Sequence, residues 1–159
     1  TTAALVIGDA ICATVMELSG FSEEEFAALH PGGTLGKSLL TKAKDLMITE
    51  VPFVNPTDSL QDVLLRISEG RLGLACIGSR NDVLGIITDG DIRRALENAQ
   101  DSSNLVAEQM GSKNPIFIEP QTGLHEMNQL FREKKIVSVL VGNVTMLQGV
   151  VQFYDIHNG

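Results

Sequence analysis

Residues 54–92, VNPTDSLQDVLLRISEGRLGLACIGSRNDVLGIITDGDI, return 64 positions later without a gap as residues 118–156, IEPQTGLHEMNQLFREKKIVSVLVGNVTMLQGVVQFYDI. Pro56 lands on Pro120, Gly78 on Gly142, Gly85 on Gly149 and Asp91 on Asp155, while Leu60 lands on Leu124, Ile67 on Phe131, Leu72 on Ile136 and Ile92 on Ile156. Any two β-α-β-β-α units share an apolar pattern, but pattern alone would not keep Pro, Gly and Asp in register. The chain is therefore read as two copies of one supersecondary unit.

In the first copy Val51–Val54 reads as extended, and Asp58 with Gln61 reads as a capping box. Leu60, Val63, Leu64 and Ile67 then follow at the i, i+3, i+4, i+7 spacing of a helix that buries one face. Gly70 is the expected stop. Leu74–Ile77 and Val83–Ile87 are β-rich runs joined by a turn at Ser79–Asp82, and Ile92, Ala95 and Leu96 mark a short closing helix. The second copy repeats this with Leu124, Met127 and Phe131 on the helix and strands over Ile136–Val141 and Val144–Val151. One copy cannot cover both faces of its sheet, so the two are expected to pack as a unit. The fold class is α/β (α+β), a tandem repeat pair preceded by helices.

Residues 1–43 lie outside this period. Ala3 to Leu18 is apolar almost all round, which predicts a helix enclosed on every side. Ser22 and Glu25 cap a second short helix that ends at Leu29, and His30-Pro31-Gly32-Gly33 breaks it. The segment is expected to be the end of a domain whose body lies upstream, or to pack against another copy of the chain. Self-association follows from either the exposed apolar surface or the faces of the repeat pair.

Twelve Lys+Arg stand against 20 Asp+Glu, a net charge of −8 spread along 159 residues, with no basic stripe for a run of phosphates. Nucleic acid and anionic membrane are therefore not expected partners, whereas a single small nucleotide needs only one or two cations and some backbone N–H groups. Cys12 and Cys76 have no CxxC spacing and are read as small buried hydrophobes, so neither metal nor disulfide is expected. No apolar stretch is read as reaching the roughly 20 residues that cross a bilayer, and no leader is recognised, so the expected location is the cytoplasm.

The strongest chemical constellation is Gly85-Ile86-Ile87-Thr88-Asp89-Gly90-Asp91, a strand running into a helix N-terminus. Thr88 is placed to hold a phosphate at the positive end of the helix, and Asp91, a turn later, to accept both hydroxyls of a ribose. Equally, Thr88 reads as an ordinary N-cap and Asp91 as a favourable first-turn acid. Thr57 and Asp155 are further ligand-binding candidates. The second copy has Gln152 where the first has Thr88, so one intact site per chain is expected.

The two Pro-containing strand openings and the two Gly-h-h-x-x-x-Asp closings resemble the CBS-pair family over residues 44–158. Thr2 to Ala10, Phe21 to Phe26, His30 to Lys37 and Thr88 to Arg94 together are similar to the D-arabinose 5-phosphate isomerases, in which a sugar isomerase (SIS) domain precedes a CBS pair. The resemblance implies residues 1–43 as the remnant of that domain, 44–98 as the first CBS repeat and 105–159 as the second. It implies ribulose 5-phosphate to arabinose 5-phosphate isomerisation by the parent, for lipopolysaccharide or capsule, with His30 in its active site and no required cofactor. It also implies a cleft for an adenine nucleotide or a CMP-activated acidic sugar, with a homodimer for this chain and a homotetramer for the parent. The chain alone is expected to be inactive, because the lysine, the acidic residues and the phosphate loop of the family have no counterpart here. The alternative is a pair that only assembles the protein and binds nothing.

Overall fold

The structure, a computed structural model, describes residues 2–22, 25, 40–99 and 101–157. In each repeat a short strand lies parallel to a longer one, which then turns back antiparallel. In the first, β1 (Phe53–Val54) pairs with β2 (Leu74–Ser79), and β2 with β3 (Asp82–Thr88). In the second, β4 (Phe117–Ile118) pairs with β5 (Ser138–Asn143), and β5 with β6 (Met146–Gln152). Leu74 opposite Thr88 becomes Ser138 opposite Gln152, so the register itself repeats at the sequence offset of 64.

The helix between β1 and β2 is α3 (Leu60–Gly70). Its N-cap is Ser59, one residue later than the sequence suggested: Asp62 N–H donates to Ser59 Oγ at 3.3 Å and Ser59 N–H to Asp62 Oδ2 at 3.2 Å. Asp58 instead closes the preceding turn, accepting from Asn55 N–H at 2.8 Å. Gly70 is the last helical residue, but the left-handed residue that ends the helix is Arg71, at φ 56°. Gly70 serves a close approach, since a Cβ there would lie 2.7 Å from Pro52 Cγ. In the second repeat α6 (Leu124–Lys134) ends the same way at Lys135, φ 52°. After β3 comes α4 (Asp89–Asn98), and after β6 a single turn, α7 (Phe153–His157).

Strand alternation explains how the core divides. On one face of β2, Ala75 and Ile77 pack with Val63 and Ile67 of α3. On the other face Leu74 and Cys76 join Val83 and meet Leu140, Leu147 and Val150 of the second sheet. The two sheets thus cover the faces that their own helices leave bare. Leu64 was expected on the buried face of α3 but is 45% exposed, whereas Val63 and Ile67 are buried.

The repeats also exchange segments. Two short helices, α2 (Ala43–Leu46) and α5 (Ala107–Met110), precede the first strand of each repeat, and each packs on the other repeat. Ala43 lies in the core of the second repeat with Met127 and Phe131, and Ala107 in the core of the first with Val63 and Ile67. The matched prolines explain part of this. Glu108 N–H donates to Pro56 O and Lys44 N–H to Pro120 O, both at 3.0 Å, which satisfies first-turn donors that a helix leaves unpaired. The chain beyond each helix then bridges the opposite sheet: Ser112 and Ile86 exchange bonds of 2.8 and 3.0 Å, and Ile48 and Val150 do the same at 2.8 and 3.0 Å. Across the pseudo-two-fold, Val83 N–H donates to Val144 O at 2.9 Å and Leu147 N–H to Arg80 O at 2.8 Å. The Arg80 guanidinium reaches Thr49 O at 2.7 Å and the carbonyls of Leu147 and Gln148 at 3.3 Å each.

Upstream, α1 (Thr2–Ser19) ends at Gly20, φ 66°, where Phe21 N–H returns to Met16 O at 3.0 Å. The sequence reading expected this helix to be enclosed, yet none of its residues is buried and Cys12 on it is exposed. At 18 residues it is also long and apolar enough to cross a membrane by length and composition alone, which corrects the expectation that no such stretch exists. Ser22 and Glu25 form the anticipated capping box, with bonds of 3.0 and 3.1 Å. The rest of that second helix and the His30-Pro31-Gly32-Gly33 stretch lie outside the described residues.

At Gly85 and Gly149 the exchanged segments press against the sheet backbone. A Cβ at Gly85 would lie 2.7 Å from Ser112 O, and one at Gly149 2.7 Å from Ile48 O. Gly85→Ala and Gly149→Ala should each cost about 1–3 kcal/mol in urea unfolding, because the backbone must move apart. Gly8→Ala, which meets nothing within 4 Å on helix α1, should cost none. Cys76 supplies a second test. Burial between the sheets pushes its thiol from 9.0 up to about 12, because the thiolate would lose its water. The folded chain keeps a proton that the unfolded chain releases, so this contribution is full below pH 9.0 and is lost as pH rises toward about 12. Cys76→Ala should flatten the alkaline fall in urea midpoint, and a thiol reagent should label Cys12 but not Cys76 until the chain unfolds.

Candidate functional site

Where β3 runs into α4, the backbone leaves the first sheet beside the second, and a cavity of about 640 Å³ opens between the repeats. Its first wall is Leu72, Gly73, Thr88 and Asp91 of the first repeat, and its second is Asn114 to Ile116, Lys135 to Ser138 and Gln152. Gly73 has φ 62°, and a Cβ there would come within 3.1 Å of Asp89 Oδ2, so the turn at the cavity floor tolerates no side chain without movement.

Thr88 is the N-cap of α4, as the plainer sequence reading had it. Asp91 N–H donates to Thr88 Oγ1 at 3.3 Å, and Asp91 Oδ2 accepts from Thr88 N–H at 2.9 Å and from the Thr88 hydroxyl at 2.6 Å. The other oxygen, Oδ1, accepts from Arg94 Nη2 at 2.6 Å. Thr88 and Asp91 therefore do line the cavity together, but they are bonded to each other. Asp91 has capacity left on Oδ1, since a carboxylate offers about four lone-pair sites. Two cations from opposite repeats, Arg94 and Lys135, face the same space. Asp91 and Arg94 also border a second cavity of about 350 Å³, with Leu105 and Met110.

The second repeat differs at the matching positions. Gln152 sends its side-chain amide across the seam to Leu72 O at 2.8 Å and, within its own sheet, to Ser138 Oγ at 3.3 Å. Asp155 Oδ2 accepts from Gln152 N–H at 3.1 Å, repeating the cap, but Asp155 is not among the cavity-lining residues. Thr57 sits exposed in the turn between β1 and α3, and it does not line the cavity either. His30 lies outside the described residues. Among the described residues no group of His, Cys, Asp and Glu is placed to hold a metal.

Sequence reasoning missed Lys135 and the Asn114–Ile116 stretch. Lys135 had a signal: with Arg71 it forms a pair of cations 64 positions apart, each directly after the long helix of its repeat. The stretch before β4 had none, because its role comes from crossing to the other repeat.

Residues 43–98 match the family model of the CBS domain. Across 98% of its length the chain is 37% identical to the arabinose 5-phosphate isomerase KdsD of Yersinia pestis, of which it spans 48%. It is 36% identical, over the same 98%, to KdsD of Salmonella typhimurium, again spanning 48% of that protein. Its fold is also that of CBSX2, solved in complex with AMP, at a TM-score of 0.62 and 17% identity over 73% of this chain and 92% of that one.

Proposed function

We propose that this tandem pair of CBS repeats, similar over 98% of its length to 48% of an arabinose 5-phosphate isomerase, is a regulatory module that binds a nucleotide or nucleotide-activated sugar between its repeats. The supporting observation is the cavity of about 640 Å³ at which the α4 N-terminus, with Thr88 and Asp91, meets Lys135 and the start of β5 from the opposite repeat. That volume falls within the range of roughly 300–1,000 Å³ typical of small-molecule sites. The likeness to a fold solved with AMP supports the ligand class. An adenine nucleotide and a CMP-activated acidic sugar remain the two candidates, the second being an end product that such an enzyme would gain from sensing.

In this reading the parent protein is an aldose–ketose isomerase acting on arabinose 5-phosphate in the cytoplasm, for lipopolysaccharide or capsule. Residues 1–43 close its sugar isomerase domain, and His30 serves proton transfer there, a task suited to imidazole near neutral pH. The exposed apolar α1 would pack against that domain.

A second reading, assembly without a ligand, is favoured by the mutual bonding of Thr88 and Asp91 and by Leu64 and Leu65, which lie 45% and 61% exposed on α3. Calorimetric titration with AMP and CMP separates the two. Binding that weakens about ten- to a hundredfold in Asp91→Ala supports the first reading, since a hydrogen bond to a charged group is worth about 1.5–3 kcal/mol. Thr88→Ala should weaken binding less, because backbone N–H groups still face the phosphate, while also lowering stability by about 1 kcal/mol through loss of the cap. If neither nucleotide binds the parent chain, and sedimentation gives a mass of two or more chains, the assembly reading replaces the first.

A further inference from the structure

We infer that Arg94 sets the preference of this cleft for a phosphorylated ligand over its unphosphorylated counterpart, by competing for the carboxylate that a ligand diol needs and then passing to the phosphate. The inference rests on the nucleotide reading above. Its starting point is that the two oxygens of Asp91 have different neighbours. Oδ2 is committed to the turn, accepting from both the N–H and the hydroxyl of Thr88 at 2.9 and 2.6 Å. Among the described residues, Oδ1 accepts from Arg94 alone, at 2.6 Å. A diol that approaches Asp91 must therefore contend with the guanidinium, not with the turn.

The two partners differ in how readily they can move. Asp91 has a side chain only 15% exposed and is fixed by the cap, whereas the Arg94 side chain is 68% exposed. An exposed i, i+3 ion pair is held weakly, so Arg94 is the partner that yields. It has somewhere to go, because it borders both the cavity between the repeats and the smaller one lined by Leu105 and Met110. Position 90 is glycine, so the first turn of α4 places no side chain beside Arg94, although a Cβ there would make only ordinary contact, 3.4 Å from Arg94 Nη1 and 3.6 Å from Thr88 Oγ1. The second repeat has Tyr154 at the matching position.

A neutral nucleoside displaces Arg94 and offers it nothing in return, whereas a nucleotide gives the freed guanidinium a phosphate, for which its planar fork of donors is well matched. Removing the guanidinium should consequently move the two affinities in opposite directions. The test is calorimetric titration of the full chain and of Arg94→Gln with adenosine and AMP, and with cytidine and CMP, using displacement of the nucleotide where the nucleoside is too weak to titrate directly. Arg94→Gln should bind AMP or CMP about tenfold more weakly. It should bind the matching nucleoside about two- to fivefold more tightly. Arg94→Lys, which keeps the charge without the fork, should retain part of the nucleotide preference. Because the side chain is largely exposed, thermal unfolding of the variants should match the parent. If the parent binds a nucleotide and Arg94→Gln shifts nucleoside and nucleotide alike, or shifts neither, this inference is wrong and the nucleotide reading stands. If the parent binds none of the four compounds, the nucleotide reading and this inference fall together.

Discussion

A three-stranded sheet with helices on one face leaves the other face bare, and in this chain each bare face is covered by the other. Leu74, Cys76 and Val83 from one sheet close on Leu140, Leu147 and Val150 from its repeat. Burying an aliphatic side chain of this size is worth about 1.5–3 kcal/mol, so the shared layer is a large part of what holds either repeat together. Once the sheets face each other across a pseudo-two-fold, the rest is constrained. The hairpin turns must meet near the axis, where Arg80 and Val144 exchange bonds with Leu147 and Val83. The ends of β3 and β6 must emerge at the seam, which is where the cavity opens.

Symmetry places Thr88 and Gln152 at matching positions on the cavity, yet their side chains have different partners. Gln152 spends its amide on Leu72 O across the seam and so acts as a clasp. Thr88 spends its hydroxyl on Asp91, which keeps the carboxylate beside the cavity. A duplicated unit thus keeps two structural copies of the turn with different side-chain partners, and Gly90 and Arg94 stand beside the Thr88 copy.

The fold was legible in the sequence because its most demanding positions are backbone requirements. Gly85 and Gly149 are needed for close approach, and Pro56 and Pro120 turn their carbonyls to the short helices of the opposite repeat. Those needs keep residue type in register even where packing lets Ile67 become Phe131. The exchanged helices were not legible, since Ala43–Leu46 and Ala107–Met110 share little beyond their alanines and their length. The site was half legible. Thr88 and Asp91 were found from their place after a strand and line the cavity, whereas Thr57, also named as a candidate, lies exposed in the β1–α3 turn and does not line it. The cover of α1 was not legible for a related reason: an all-round apolar helix requires one, and the pattern does not say which part of which chain provides it.

The exchange of α2 and α5 also sets an order of assembly. The first repeat can fill its core once the chain has reached Met110, because α5 follows directly from it. The second repeat takes its matching cover from upstream. Its core waits for Ala43, and its outer strand for Ile48, both laid down before β1. Closing that contact late and over such a separation in sequence is entropically expensive. As the chain emerges during synthesis, α2 must therefore stay uncommitted while the whole first repeat folds beside it. The last step of folding joins the beginning of the pair to its end.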